Sequence, residues 1–316
     1  MKQEKRQPVF ESPINILERV RLKLEKTRVQ WETHGRPELP FGIPILDKMT
    51  LGIDDLLTII GSRTSEGKTA LALQIANGLA DMGKTVLYMT IEDTVDHIIE
   101  RMISQLLELD NQLVRMGKVQ DVHWEAMRNL LKDLKLMPIG GYGFNWAEVE
   151  TVLDELKQSE QLKPDVVIFD YLQNIETAGY PSRYEAIKAF ANKAVIWNAR
   201  NKIPLIVLSQ INREAGEHEI PNLRHFEQGG SIEQSGYKVL ILHQPHRHGM
   251  ASFDYNKKLS TGMEHCPDDY AECRIAKNKT GPVGIIPLRF TGRFYRFTEW
   301  PQPEIPNGFN RRKDLL

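Results

Sequence analysis

The sequence predicts an α/β fold: a mostly parallel central sheet, covered by helices on both faces and extended along one edge by antiparallel strands. Three observations lead there. From about residue 41, short runs rich in Val and Ile alternate with amphipathic stretches of helical period, the pattern of strands buried on both faces and joined by crossover helices. The last apolar runs follow one another with no helical stretch between them, which asks for hairpin connections. With 316 residues and 41% hydrophobic content, the chain has ample apolar surface for such a core.

Taken in order, residues 1–11 are polar and charged and form a flexible N-terminus. Ser12 then Pro13 reads as an N-cap followed by proline at the first helical position, opening a helix over 12–33. Its apolar residues Leu17, Val20, Leu24 and Trp31 step by three, four and seven, a narrow stripe that needs a partner, either its own domain or a neighbouring subunit. Residues 34–40 read as a linker into a domain spanning 34–300, and the polar, proline-bearing stretch 301–316 as a flexible tail. Strands are predicted at Leu56–Ile60, Thr85–Thr90, Asp165–Phe169, Pro204–Ser209, Lys238–Leu242, Arg274–Ala276 and Gly284–Phe290. Helices are expected near 68–82, 94–109, 122–135, 145–158 and 183–200.

Charge is silent about partners, because 41 Lys+Arg nearly cancel 42 Asp+Glu. Two cysteines, Cys266 and Cys273, argue against a disulfide framework and for a reduced, cytoplasmic setting. No run of about 18 apolar residues provides a membrane span, and the first residues lack a signal peptide's apolar stretch.

The chemistry begins where the first strand meets a loop. Gly61 precedes Ser62, Arg63, Thr64, Ser65, Glu66, Gly67, Lys68 and Thr69, and a helix follows. That strand–loop–helix context makes a phosphate-binding loop: backbone N–H groups cradle the phosphates of ATP, Lys68 neutralises them, and the Thr69 hydroxyl ligates Mg²⁺. Ser62 stands where the usual pattern has its first glycine, a departure by one place. A magnesium nucleotidase also needs a carboxylate at a neighbouring strand end, and Asp170 closes Val166–Phe169. Glu92 follows another strand and is the candidate base that orients water, with Asp93 its rival. Gln210 ends the strand Ile206–Leu208 after Ser209. Parallel strands put their C-terminal ends on one edge, so Lys68, Glu92, Asp170 and Gln210 are expected to converge.

Together with that loop, Thr-Ile-Glu-Asp at 90–93, Phe-Asp-Tyr-Leu-Gln at 169–173, Leu-Ser-Gln-Ile-Asn-Arg at 208–213, Gly-Ser-Ile-Glu-Gln at 230–234 and Lys-Asn-Lys-Thr-Gly-Pro at 277–282 occur in a fixed order. From about residue 41 to 297 the sequence resembles the motor domain of DnaB-type replicative helicases. The resemblance implies a RecA-like P-loop NTPase fold and an ATP- and Mg²⁺-dependent helicase, working as a homohexameric ring on single-stranded DNA with 5′–3′ polarity. It also implies that Glu92 is the catalytic base, Asp170 the Mg²⁺-side carboxylate and Gln210 the γ-phosphate sensor. The stretch 211–230 corresponds to the family's DNA-binding loop, with Arg224, Gln228, Gly229 and Gly230 as candidate contacts to the DNA backbone.

Three departures stand out. Glu227-Gln228-Gly229-Gly230 replaces the family's Arg-Glu-Ser-Gly. Ser235-Gly236-Tyr237 replaces acidic residues. Lys279 stands where the family's Lys-x-Arg places an arginine finger, while Lys277 keeps its place; both belong to the side donated across a subunit interface, and an ammonium lacks the bidentate fork of a guanidinium. The N-terminal domain that contacts primase and loader has no counterpart here, although a loader or primase remains an expected partner, and residues 14–31 resemble the linker helix that docks on the next motor domain. A second function is open: an ATPase resembling clock or recombinase proteins, in which nucleotide controls assembly without unwinding.

Two weaker signals complete the sequence. His243, His246, His248, His265, Cys266 and Cys273 gather late in the chain, but their spacing lacks paired Cys-x2-Cys geometry and reads as a polar hairpin insertion rather than a zinc site. Residues 178–183 fit either a second DNA loop or a linker capping the helix from about 183.

Overall fold

A computed structural model describes residues 11–140, 144–160, 162–172, 175–211, 219–226, 235–249 and 267–301. The first element, α1 (Pro13–His34), is built as its caps dictate: the Ser12 side chain accepts from the Asn15 N–H, and Gly35, at φ 63°, donates its N–H to the Trp31 carbonyl. None of its residues is buried. A short helix not expected from the pattern, α2 (Pro44–Thr50), leads into the sheet.

The succession is then β1 (Leu57–Ser62), α3 (Lys68–Asp81), β2 (Val86–Thr90), α4 (Val95–Leu106), α5 (Asn111–Arg115), α6 (Asp121–Lys132), β3 (Leu136–Gly140), α7 (Trp146–Gln158), β4 (Val166–Asp170), α8 (Arg183–Asn201), β5 (Leu205–Gln210), β6 (Lys238–His243), β7 (Tyr270–Asn278), β8 (Gly284–Thr291) and β9 (Arg296–Glu299). These strands form one nine-stranded sheet in the order β3-β2-β4-β5-β1-β6-β7-β8-β9. Pairing is parallel from β3 to β6 and antiparallel from β6 to β9, as the alternation and then absence of helical stretches predicted.

Period-two alternation divides the core. Along β1, Ile60 belongs to a cluster with Leu71 and Ile75 of α3 and Ile98 of α4, while Leu57 and Ile59 join Leu153 of α7 and Phe190 and Trp197 of α8 on the other face. Burying a side chain of this size contributes about 1.5–3 kcal/mol, so both faces must be covered for the sheet to persist.

Three predicted boundaries need correction. The helix expected over 94–109 is α4, which stops at Leu106 before Glu108 at φ 51°; α5, capped by the Asp110 side chain, is a further helix not expected from the pattern. β3 was not expected, because Pro138 cannot donate to a ladder; it is tolerated in an edge strand whose one neighbour is β2. β7 runs well past Arg274–Ala276 at both ends, and β9 adds an unpredicted strand at the opposite edge from β3.

Candidate active site

The C-terminal ends of β1, β2, β4 and β5 form the site. Register places Thr90 beside Asp170 and Ser62 beside Gln210, so the residues that follow each strand open onto one edge. Between β1 and α3 the chain turns through Ser65 at φ 65° and Gly67 at φ 92°. A Cβ on Gly67 would stand 2.7 Å from Phe297 Cζ; glycine is therefore required by dihedral and by space. Lys68 opens α3, largely buried, with its ammonium 4.5 Å from the Tyr171 ring centroid, a cation–π contact that holds the charge at the strand ends. Ser62 is buried and its hydroxyl donates to the Arg63 carbonyl. The Arg63 guanidinium reaches the Glu219 carbonyl at 2.8 Å.

Asp170 is 2% exposed. Its Oδ2 accepts from the Tyr88 hydroxyl at 2.8 Å, while Oδ1 has no hydrogen-bond partner. Burial raises its pKa above the ordinary aspartate range, against the pull of the Tyr88 hydroxyl, the Lys68 ammonium and the Thr69 hydroxyl. Such an orphaned buried carboxylate oxygen, next to a threonine hydroxyl, fits the water shell of a hard cation, and the glycine-lined loop with Lys68 fits a polyphosphate.

Glu92 stands at the mouth, where burial raises its carboxyl pKa, Lys68 lowers it and Asp170 raises it again. Its rival Asp93 is engaged elsewhere: Arg101 Nη1 lies 2.5 Å from one carboxylate oxygen and His97 Nδ1 3.1 Å from the other. Glu92 and Lys68 therefore face a cleft of about 520 Å³ that Thr64, Arg101, Arg247 and Tyr295 also line. Gln210 donates from Nε2 to the Thr64 hydroxyl at 3.1 Å, joining the end of β5 to the loop.

Several groups at this edge escaped the sequence. Tyr88 sits mid-strand, where it reads as core. Arg101 lies two turns beyond Asp93, a helical spacing that could have found it. Arg247 and Tyr295 come from the late, edge-side part of the fold. His243 and His248 meet Glu66, a residue the sequence did assign to the phosphate loop, and bury it fully.

Other expected residues lie apart. Because β7 is antiparallel to β6, Asn278 pairs with Lys238 at the start of β6, so Lys277 and Lys279 are at the opposite edge of the sheet from Lys68. Lys279 Nζ lies 5.4 Å from the Tyr237 ring centroid. Arg224 is exposed in the 3₁₀ turn Leu223–His225. Phe226, two residues on, bridges to Ile211, and a Cβ on Gly61 would meet its Cζ at 2.4 Å; the stretch carrying Arg224 thus packs directly on β1. Gln228, Gly229, Gly230, His265 and Cys266 lie outside the described residues. In the 178–183 stretch, the Ser182 side chain accepts from the Glu185 N–H and caps α8.

Residues 39–299 match the family model of the DnaB-like helicase C terminal domain. The sequence is 25% identical over 291 residues to the replicative DNA helicase DnaB of Helicobacter pylori, covering 83% of this chain and 59% of that protein. It is 27% identical over 269 residues to the replicative DNA helicase DnaC of Bacillus subtilis, covering 82% and 56%. The chain thus spans less than two thirds of the length of these relatives. A solved structure described as an ATPase domain superposes with a TM-score of 0.76 at 22% identity, covering 93% of this chain and 100% of that one. Another, of a DnaB-like replicative helicase and its interactions with primase, gives 0.73 at 21% identity over 93% and 69%. These two share the fold.

Proposed function

Because the chain belongs to the DnaB-like helicase C terminal domain family, we propose that it is an ATP-hydrolysing replicative helicase motor that moves along single-stranded DNA as a homohexameric ring. The observation that carries this reading is the placing of Lys68, Asp170, Glu92 and Gln210 at the same strand ends, with Lys68 and Glu92 lining one cleft there.

Arg63 to Thr69 would hold the ATP phosphates, and Thr69 with Asp170 the Mg²⁺, whose charge would offset that of the phosphates when bound. Lys68 brings its ammonium to the β- and γ-phosphates, held against Tyr171 rather than free to swing. Glu92 orients the attacking water and takes its proton; partial burial makes that carboxylate more basic than one in water. Gln210 reports the state of the site, since its bond to Thr64 is within reach of the phosphate loop and its strand leads directly into the stretch that ends at Arg224 and Phe226. Packing of Phe226 on Gly61 gives that stretch a mechanical connection to β1. Arg224 would contact phosphates of the strand without reading bases.

The second half of the site would come from a neighbour. Lys277 and Lys279 lie at the opposite end of the strands from their own Lys68, and none of the residues of α1 is buried; both would act on the next subunit, α1 by docking there. A helicase loader or primase is a further expected partner. Lys279 in place of an arginine finger favours a second reading, an ATPase whose nucleotide state controls assembly alone.

Forked-DNA displacement with ATP and Mg²⁺ separates the two. Strand displacement with DNA-stimulated hydrolysis supports the helicase; hydrolysis and assembly without either would leave only the second.

A further inference from the structure

The phosphate loop contains an element that nucleotide binding does not explain. Glu66 puts a carboxylate inside a loop built to receive anions, with no solvent exposure. Its Oε2 accepts from the Arg63 N–H at 2.9 Å. Three nitrogens face Oε1: His243 Nδ1 at 3.2 Å, His248 Nε2 at 2.8 Å and the Gln244 N–H at 3.1 Å. A carboxylate oxygen accepts along about two lone-pair directions, so three nitrogens crowd it by one. His243 is as buried as Glu66, and His248 is 18% exposed.

We propose that Glu66, His243 and His248 form a binding site for a zinc-class divalent metal ion that ties the phosphate loop to the end of β6. Glu66 Oε1, His243 Nδ1 and His248 Nε2 all lie within 4.8 Å of one another. Tetrahedral ligands at about 2.0–2.1 Å from an ion stand roughly 3.3 Å apart, so the two N–O spacings, 3.2 and 2.8 Å, need to open by only a few tenths of an ångström. Two imidazoles and one carboxylate select zinc, cobalt, nickel or copper over magnesium, which separates this site from Thr69 and Asp170. The ion's charge would neutralise the buried carboxylate, leaving one position for water. Spacing alone concealed the site, since its third ligand is 177 residues from His243. His246, between the two ligands, points elsewhere and pairs with Asp268.

Such an ion would fix two things that border the nucleotide cleft. It would hold the loop through Glu66, and it would hold the 3₁₀ turn Pro245–His248, which carries Arg247 into the cleft. Metal supply would then govern how well the loop is formed before nucleotide arrives.

The test uses the full chain, stripped with chelator and titrated with Co²⁺ in the absence of nucleotide. The expected result is one Co²⁺ per chain with the visible absorption of a four-coordinate site, displaced by Zn²⁺ and unaffected by millimolar Mg²⁺. Zn²⁺ at a hundred times its Kd should raise the melting midpoint by about 5 °C. His248→Ala, at a partly exposed position that tolerates change better than His243, should abolish the absorption and the shift, whereas His246→Ala should keep both. No binding at micromolar Co²⁺, competition by Mg²⁺, or an undiminished signal in folded His248→Ala would each overturn the site. Because the readout needs neither ATP nor DNA, its failure leaves the helicase reading standing, and the reverse holds too.

Discussion

The two edges of the sheet are built differently. Where β1, β2, β4 and β5 end, the functional groups are braced by their own chain: Asp170 by Tyr88, Lys68 by Tyr171, Thr64 by Gln210, Asp93 by Arg101. Lys277 and Lys279 stand where those strands begin, and none of the residues of α1 is buried. Leu22 and Trp31 of that helix line an open cleft of about 670 Å³ with Leu39, Leu51 and Ile53. One end of the strands is braced within the chain. At the other, the proposed function assigns Lys277, Lys279 and α1 a part only beside a second chain.

That contrast can be broken most directly at the braced edge. Lys68→Ala should lower ATP hydrolysis by at least about 10²–10³-fold, the scale for removing a group that meets developing charge; steady-state phosphate release at saturating ATP checks it, and wild-type turnover would remove Lys68 from the site. At the open end, deleting residues 12–33 should leave the sheet folded and abolish ring assembly, because none of the residues of α1 is buried in the sheet's core; sedimentation and circular dichroism on the same sample separate the two effects. A truncated chain that still forms rings would place the contact elsewhere.

Smaller effects sharpen the comparison. Lys279→Arg restores a bidentate donor and should raise hydrolysis about tenfold, a gain of about 1.4 kcal/mol at the barrier, and only at protein concentrations where rings form. The acid side of the rate profile should report Glu92: its carboxyl is raised above 4.5 by burial, only the ionised form accepts a proton, and activity must therefore fall at a higher pH than for an unperturbed glutamate. A Glu92→Asp variant, more exposed, should move that midpoint down. Last, Tyr88→Phe removes the hydroxyl bound to Asp170 and should cost about 1–3 kcal/mol of stability, read as a lower melting midpoint.

The same contrast explains what the sequence could and could not reveal. At the braced edge, each strand ends in a residue of distinct chemistry, and parallel pairing guarantees their meeting; Lys68, Asp170 and Gln210 were legible because topology does the work. Glu92 was preferred to Asp93 on the resemblance; the physical ground for it, Arg101 reaching back from α4 to Asp93, was not read from the residues. β3 hid behind Pro138, and Glu66, read as one of the residues of the phosphate loop, gave no sign of its histidine partners, which arrive after more than half the chain has intervened. Long-range pairings carry no period, and period is what a single sequence displays.

Phe297 shows how far such a pairing reaches. Its ring rests on Gly67, and its backbone N–H and carbonyl are both held by the Gln74 side chain of α3, 223 positions earlier. At about 5–20 residues per second, a ribosome takes roughly 10–45 s to cover that distance. Through all of that interval the phosphate loop is made but lacks its wall. A nascent chain therefore gains the Phe297 side of its phosphate loop only after β9 has emerged.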